Sequence, residues 1–333
     1  MINPGWRRRG SYGGCEGAGG IHPRNPGFRP SSGSSLSAIG ALVLCIATVA
    51  VHAGDKTVLN APPSEGAPAS SIPAWSFDLD ADYVLGSHIR HLEGLGAQAD
   101  SYYELEALRR FRIVDNLYFR AGIDVSRFDF SRSNAVFPYS LNALAGEFAL
   151  EYWHGDEIGA LLKVSPGLYF ARDHITQNAF DFPIEAGTGI RITKNFSLAI
   201  GVTTGLLREW PVLPVGGFVW DINNRLKVNA LFPEPRVSYK FFRGFQAFLG
   251  GEFAGGGFRN GPTDDHRTNN ATLQYTEVRG GGGISYTPRK GVDLEGSAGW
   301  VFQREIDFFH SGPDFKTRAG APYFKVDLSV DLF

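Results

Sequence analysis

Methionine is all but missing from this chain, with Met1 the only one in 333 residues. Cysteine is nearly as rare. Cys15 and Cys45 both fall in the first 53 residues, so the rest of the chain offers no disulfide, thiolate metal site or cysteine nucleophile. Charge is thin, at 20% Asp, Glu, Lys and Arg against about 25% in soluble domains. No stretch repeats its apolar residues with a period near 3.6, which removes amphipathic helices as the main element. No Gly-X-Y period is present, so the 42 glycines do not make a collagen-like rod. At 43% hydrophobic residues the chain is too apolar for intrinsic disorder. What it has in excess is glycine and aromatics, including 26 Phe, a pairing that disfavours helix and suits strand.

One long apolar run exists, Leu36 to Val51, preceded by Arg7, Arg8, Arg9, Arg24 and Arg29 and followed by His52 and Ala53. A basic flank, an apolar block too short for a span of about 20 residues, and a cleavage point with small residues describe a secretory signal peptide cut after Ala53. A single membrane anchor is the alternative. Residues 54–74 are rich in Pro, Ala and Ser and read as a flexible periplasmic leader. The segment 1–53 holds five Arg and one Glu, so its removal leaves an acidic chain, and nucleic acid is not an expected partner.

From Trp75 onward the period is two. Trp75, Phe77, Leu79, Ala81, Tyr83 and Leu85 alternate with Ser76, Asp78, Asp80, Asp82 and Val84, the pattern of a strand with one apolar and one polar face. The same alternation recurs to the end of the chain. It predicts fourteen strands, near 75–86, 98–113, 117–129, 140–153, 158–171, 183–193, 196–207, 215–221, 225–232, 235–242, 245–258, 272–287, 291–309 and 321–333, with twelve or sixteen as alternative counts. Most exceed the 5–6 residues usual in globular proteins and suit tilted strands crossing a bilayer. Connections after even strands are short, as at Val114-Asp115-Asn116, Thr193-Lys194-Asn195 and Arg243-Gly244, while those after odd strands are mostly long. Short and long connections in alternation, with both strand termini on the short side, predict an all-β, closed antiparallel up-and-down transmembrane barrel over 75–333 in the outer membrane of a Gram-negative-type cell. Closure removes sheet edges that lipid cannot satisfy.

Aromatics near strand ends, Tyr152, Trp153, Tyr169, Phe170, Trp220, Phe241, Phe242 and Tyr286, fit interfacial girdles. The chain ends in Phe333, as many barrels do, which makes the barrel assembly machinery an expected partner beside outer-membrane lipid. Phe333 shares its phase with Lys325, Asp327, Ser329 and Asp331 and not with the apolar set ending at Leu332.

Three runs point to a family. They are Trp210-Pro211-Val212-Leu213-Pro214, then Gly216-Gly217-Phe218-Val219-Trp220, then Ala230-Leu231-Phe232-Pro233. With the flanking Val164 to Tyr169, Tyr275 to Gly280 and Arg304 to Phe308, the chain over roughly 100–310 resembles a family of uncharacterised bacterial outer-membrane proteins defined by a domain of unknown function. The resemblance implies an outer-membrane barrel and supplies no catalytic residues.

Chemistry is sparse. His88, His91, His174, His266 and His310 sit in long connections and would form a metal site only if those loops converged; solvated histidines are the expected outcome. Asp264-Asp265-His266 offers an acid and a base in one loop, in a context too hydrophilic to single it out. Gly280 to Gly283 lies within a strand with no helix after it, so it is no phosphate loop but room for opposing side chains. No cofactor is expected. The polar faces are richer. Glu104, Glu106, Arg110 and Arg112 share one phase, Arg120 and Asp124 the next strand's, followed by Glu147, Glu151 and Lys163, then Glu185 and Arg191, then Glu277 and Arg279, then Asp293 and Glu295. Mixed signs on adjacent strands predict lumenal ion pairs, read either as a charge-sorting constriction or as a wall that keeps the interior closed. Pro211, Pro214, Pro233 and Pro235 confine strands 8–10 to a low wall, facing a lateral opening or a second barrel in a homo-oligomer. The expected function is a passive small-solute channel or a closed structural barrel, with a rim enzyme acting on lipid, or an adhesin, as the alternative.

Overall fold

The computed structural model describes residues 73–88, 97–131, 138–155, 157–172, 174–309, 314–316 and 320–333. The expected signal peptide and residues 54–72 of the leader lie outside them. Fourteen strands form one sheet: β1 Trp75–His88, β2 Ala97–Val114, β3 Leu117–Phe130, β4 Ser140–His154, β5 in two pieces (Ile158–Val164 and Gly167–Ala171), β6 in two pieces (Phe180–Asp181 and Ile184–Thr193), β7 Phe196–Thr204, β8 Val212–Asp221, β9 Leu226–Asn229, β10 Arg236–Phe242, β11 Phe245–Arg259, β12 Thr272–Arg289, β13 Val292–Asp307 and β14 Ala321–Leu332. A further piece, Asp314–Lys316, extends the β13–β14 connection along β13. Each strand pairs antiparallel with the next, and β14 returns to β1 from Trp75↔Leu332 to Val84↔Tyr323. The result is a closed barrel.

Proline sets the breaks. Pro166 and Pro183 have no N–H for the ladder and lie between the pieces of β5 and β6. β8 begins at Val212, earlier than its Pro214 suggests, because its outward position opposite Val202 of β7 still pairs in register. β9 is only four residues long, as Pro233 and Pro235 stop it and its neighbour.

The outer surface is apolar over its middle, with Leu79, Leu105, Ile123, Leu144, Leu162, Ile200, Leu249 and Val326 all exposed. Only lipid makes that surface favourable, so the strands cross a membrane. A girdle rings the short-turn end: Phe111 stacks on Phe119 at 6.2 Å, Phe119 on Phe148 at 6.5 Å and Phe245 on Tyr286 at 4.3 Å. Arg109 sits over Trp75 at 5.0 Å and Phe111 at 4.8 Å. Lys290 lies over the Phe333 ring at 3.9 Å. Two residues expected in girdles are elsewhere. Tyr169 packs against an interior cluster, and Trp153 takes the inner phase of β4, over Gly159, because the strands carrying them put those positions inside.

The wall is uneven. β1–β4 and β11–β13 run 14 to 18 residues, whereas β7–β10 stop at 4 to 10, and all that is missing lies on the long-loop side. β11 outgrows its neighbour β10, which pairs with it only from Phe245 to Gly250. Beyond that point Gly255 takes φ +132°, and a Cβ there would strike the Tyr275 carbonyl, so only glycine fits. The upper β11 then reaches β5, where Arg259 pairs in parallel with Phe170. Gly257 lies so close to the Leu207 carbonyl, in the β7–β8 connection, that a Cβ would overlap it. Strands β6–β10 thus drop out of the loop-side rim, and the barrel tapers.

Candidate functional site

The taper decides what fills the lumen. Inner side chains of the tall strands meet in one buried cluster at the loop side: Tyr102, Phe128, Phe130, Leu141, Phe258, Leu273, Tyr275, Ile306 and Phe308, with Ala143, Ala171 and Ala271. Phe128 and Phe130 of β3 touch Tyr275 of β12 edge-on at 4.9 and 5.2 Å. Those strands are far apart around the wall, so the contact crosses the lumen and occludes it. This is an aromatic core of the kind found inside soluble domains.

Directly beneath lies a network of buried charge. The Arg279 guanidinium of β12 reaches Asp82 of β1 at 2.5 Å and Glu277 at 2.6 Å. Arg304 of β13 reaches Asp100 of β2 at 3.0 Å and Glu277 at 3.1 Å, and donates to the Gln98 carbonyl at 3.2 Å. The Tyr275 hydroxyl bonds Asp100 at 3.0 Å and also Glu277. All six side chains are at most 2% exposed except the Asp82 residue as a whole, at 5%. A second group follows: Lys325 of β14 holds Asp80 at 2.9 Å and Glu252 of β11 at 3.2 Å. A third lies against β4. Arg120 reaches Glu147 at 2.8 Å and Glu151 at 3.2 Å, Arg110 reaches Glu151 at 2.8 Å, and Lys163 reaches Glu147 at 3.2 Å. Arg236 of β10 bonds Glu295 of β13 at 3.0 Å.

Several of these pairs are chords. The expectation was pairing between adjacent strands. Five of the eleven pairs do join adjacent strands and one, Arg279–Glu277, lies within β12. The other five skip at least one strand, as β12 to β1, β13 to β2, β14 to β11, β2 to β4 and β10 to β13. Inner side chains of a small barrel point at the axis, so charged ends meet across the interior more easily than along the wall. Ions buried this deep are destabilising unless each carboxylate keeps its cation, and the chords supply them.

Each sequence-selected residue can be placed. Glu104, Glu106, Arg110, Arg120, Asp124, Glu147, Glu185, Arg191, Glu277 and Arg279 take inner-face positions. Glu106 lies beside Glu147. Arg112 sits at the turn end, half exposed and paired with Asp115 at 2.8 Å, apart from the chords. Asp82, Asp100, Tyr275, Arg304 and Lys325 were not singled out. Asp100 and Lys325 are legible in hindsight, since they continue the phases of Glu104 and Asp327. Arg304 is not. Val278 pairs with Gln303 and Arg279 with Val301, so Phe302 is an extra, bulged residue that flips the phase and turns Arg304 inward.

The turn-side lumen is lined by small residues, Gly187, Gly189, Ala199 and Gly201. Gly281 and Gly283 leave room for larger partners. A Cβ at Gly281 would come within 2.6 Å of the Tyr323 hydroxyl, and one at Gly283 within 2.5 Å of the Phe248 ring.

The loop chemistry is modest. His266 is 93% exposed with Nδ1 at 3.9 Å from Asp265. Hydrogen bonds from the Arg267 side chain and backbone hold the Asp265 carboxyl down to about 2, which makes it a weak base at neutral pH. His91 and His310 lie outside the described residues. Among the described residues no group of three or more His, Cys, Asp or Glu is placed to hold a metal ion.

No family model and no curated protein matches the chain. Solved structures similar to it include a TodX monoaromatic hydrocarbon channel deltaS2 mutant, at 10% identity and a TM-score of 0.43 over 80% of this chain and 91% of that one. An outer membrane channel from Pseudomonas putida F1 is similar at 10% identity and a TM-score of 0.43, over 80% of this chain and 99% of that one. KdgM porin is similar at 8% identity and a TM-score of 0.34, over 78% and 99%. The present chain is an outer-membrane-type β-barrel on the strength of its own closed strand pairing and apolar belt.

Proposed function

We propose that this chain is a passive outer-membrane channel for small solutes, shut at its loop end in this structure and preferring cations. The observation that carries the reading is the taper. A turn-side lumen with small inner residues on β6 and β7 gives way to an occlusion made only of side chains, with no inserted domain among the described residues. Side chains change place by rotamer changes that leave the strand backbone intact, so such a plug opens without refolding. The preference follows from the inner faces of β1 and β2, where Asp78, Glu104 and Glu106 add to Asp80, Asp82 and Asp100, the last three paired with Lys325, Arg279 and Arg304, while the same two strands carry Arg110 and Arg112. Rings of carboxylates favour cations. Membership of the uncharacterised outer-membrane family, secretion by a signal peptide cut after Ala53, and handling by the assembly machinery belong to this same proposal.

The test is planar-bilayer recording on refolded 54–333 under a salt gradient. Discrete steps with a cation-selective reversal potential are expected. Glu234→Gln together with Glu295→Gln, in the solvated part of the lumen, should bring that potential toward zero. A folded barrel that never conducts would instead favour the sealed, structural reading.

A further inference from the structure

One corner of the molecule holds strong hydrogen-bond donors with few partners among the described residues. Where upper β11 meets upper β5, Arg259 pairs with Phe170 on one side and Thr272 on the other. Phe170 is outward, since Tyr169 and Ala171 belong to the interior cluster, and Arg259, next to inward Phe258, shares that outward side. Arg172 follows two residues after Phe170. Gln274 lies two residues after Thr272, opposite Gly257. The single turn Gln177–Ala179, which Thr176 precedes, packs on both β5 and β11.

Four buried polar groups here lack partners: the Nε atoms of Arg172 and Arg259, the Thr176 hydroxyl, and both amide atoms of Gln274. Arg259 makes one bond, to the Thr272 hydroxyl at 2.9 Å. Neither arginine makes an ion pair among the described residues. Both arginines are half-exposed with only their Nε atoms closed to solvent, so their terminal nitrogens face outward without a carboxylate among the described residues, whereas the buried Arg279 and Arg304 in the lumen each have one. Arg172 is also held in a left-handed backbone, φ 60°. Its N–H donates to Ser140 O at 2.8 Å, and its carbonyl accepts from the Asn142 amide at 3.0 Å. A non-glycine residue pinned in that region stores strain of the kind found at binding sites.

We propose that Arg172, Arg259, Thr176 and Gln274 form a binding site for a phosphate group at the outer, loop-side rim. Two guanidinium forks take a tetrahedral oxyanion bidentately, and a hydroxyl and an amide complete its acceptors. The adjoining chain carries exposed Ile175, Phe180, Leu206 and Trp210, which suits the chains of a phosphorylated lipid. A free phosphorylated solute would use the same donors.

The experiment follows phosphorus line broadening on refolded 54–333 in maltoside micelles, with inorganic phosphate and, separately, short-chain phosphatidic acid as probes. Saturable broadening is expected, weakened about tenfold or more in Arg172→Gln and in Arg259→Gln, the size of a lost charged hydrogen bond. Arg127→Gln, at a neighbouring rim position paired with Asp129, should leave it unchanged. Tighter binding of phosphatidic acid identifies a lipid headgroup; equal binding identifies a free phosphate. Should Arg172→Gln fail to migrate as a folded barrel, Thr176→Val carries the same test. No saturable binding of either probe, or equal binding by every variant, overturns the site.

Discussion

The tall wall, β1–β5 with β11–β14, and the low wall, β6–β10, are built from the same alternating pattern and end differently. On the tall side, long strands carry inner residues past the turn-side lumen into a region narrow enough for opposite walls to touch. Aromatics then pack face to edge, and charges pair across the axis. On the low side, prolines and short strands end the wall before that level, and its inner face mixes small residues such as Gly187, Gly189, Ala199 and Gly201 with Glu185, Arg191 and Arg236. The difference teaches that, among the described residues, lumen occlusion is a property of strand height and not of a dedicated plug. Burial supports the contrast. Glu277 and Tyr275 on the tall side are wholly buried, whereas Arg236 and Glu234 by the low wall keep about a third of their side chains in solvent, at 30% and 29%.

Changes to the tall side should therefore dominate stability. Arg279→Ala strips the cation from Asp82 and Glu277 in a site closed to water, and should destabilise the barrel by about 3–5 kcal/mol, read as a lower urea midpoint for loss of heat-modifiable migration. An unchanged midpoint would mean that the chords are dispensable. Phe128→Ala removes the ring that meets Tyr275 and should cost about 3 kcal/mol or more. It should also raise open probability in bilayer recordings, because the vacated space lies on the axis. Gly255→Ala tests the crossing of β11. A methyl group there meets the Tyr275 carbonyl, and a loss of about 1–3 kcal/mol is expected, with faster proteolysis of the β7–β8 connection that rests on Gly257. The smallest effect belongs to Arg127→Ala. Its pair with Asp129 is outward and half exposed, so the change should stay within about 1 kcal/mol and vanish at high salt. A large effect there would put the energetic weight of the tall wall on its outer face.

Much of this was legible in the sequence. The alternation beginning at Trp75 identified which face of each strand meets lipid, and the sorting of connections by length identified the barrel and its direction. The prolines at 211, 214, 233 and 235 marked the low wall. Two kinds of feature escaped. Tyr169 and Trp153 looked like girdle residues because aromatics near strand ends usually are. Only the phase of their strands at that level turned them inward. Arg304 escaped because one bulged residue, Phe302, inverts a pattern that is otherwise regular.

The sequence by itself determined the local period, the two faces, the strand number to within two and the uneven height, because all four follow from pleat geometry and from where proline and glycine interrupt it. The tertiary structure alone decided that β11 crosses to β5, that several ion pairs run as chords between distant strands, and that Arg172 and Arg259 lie on the ends of these two strands with no ion pair among the described residues. These depend on how strand register and closure set the barrel's radius at each level. No local stretch of sequence encodes that radius, because it is fixed only when the last strand returns to the first.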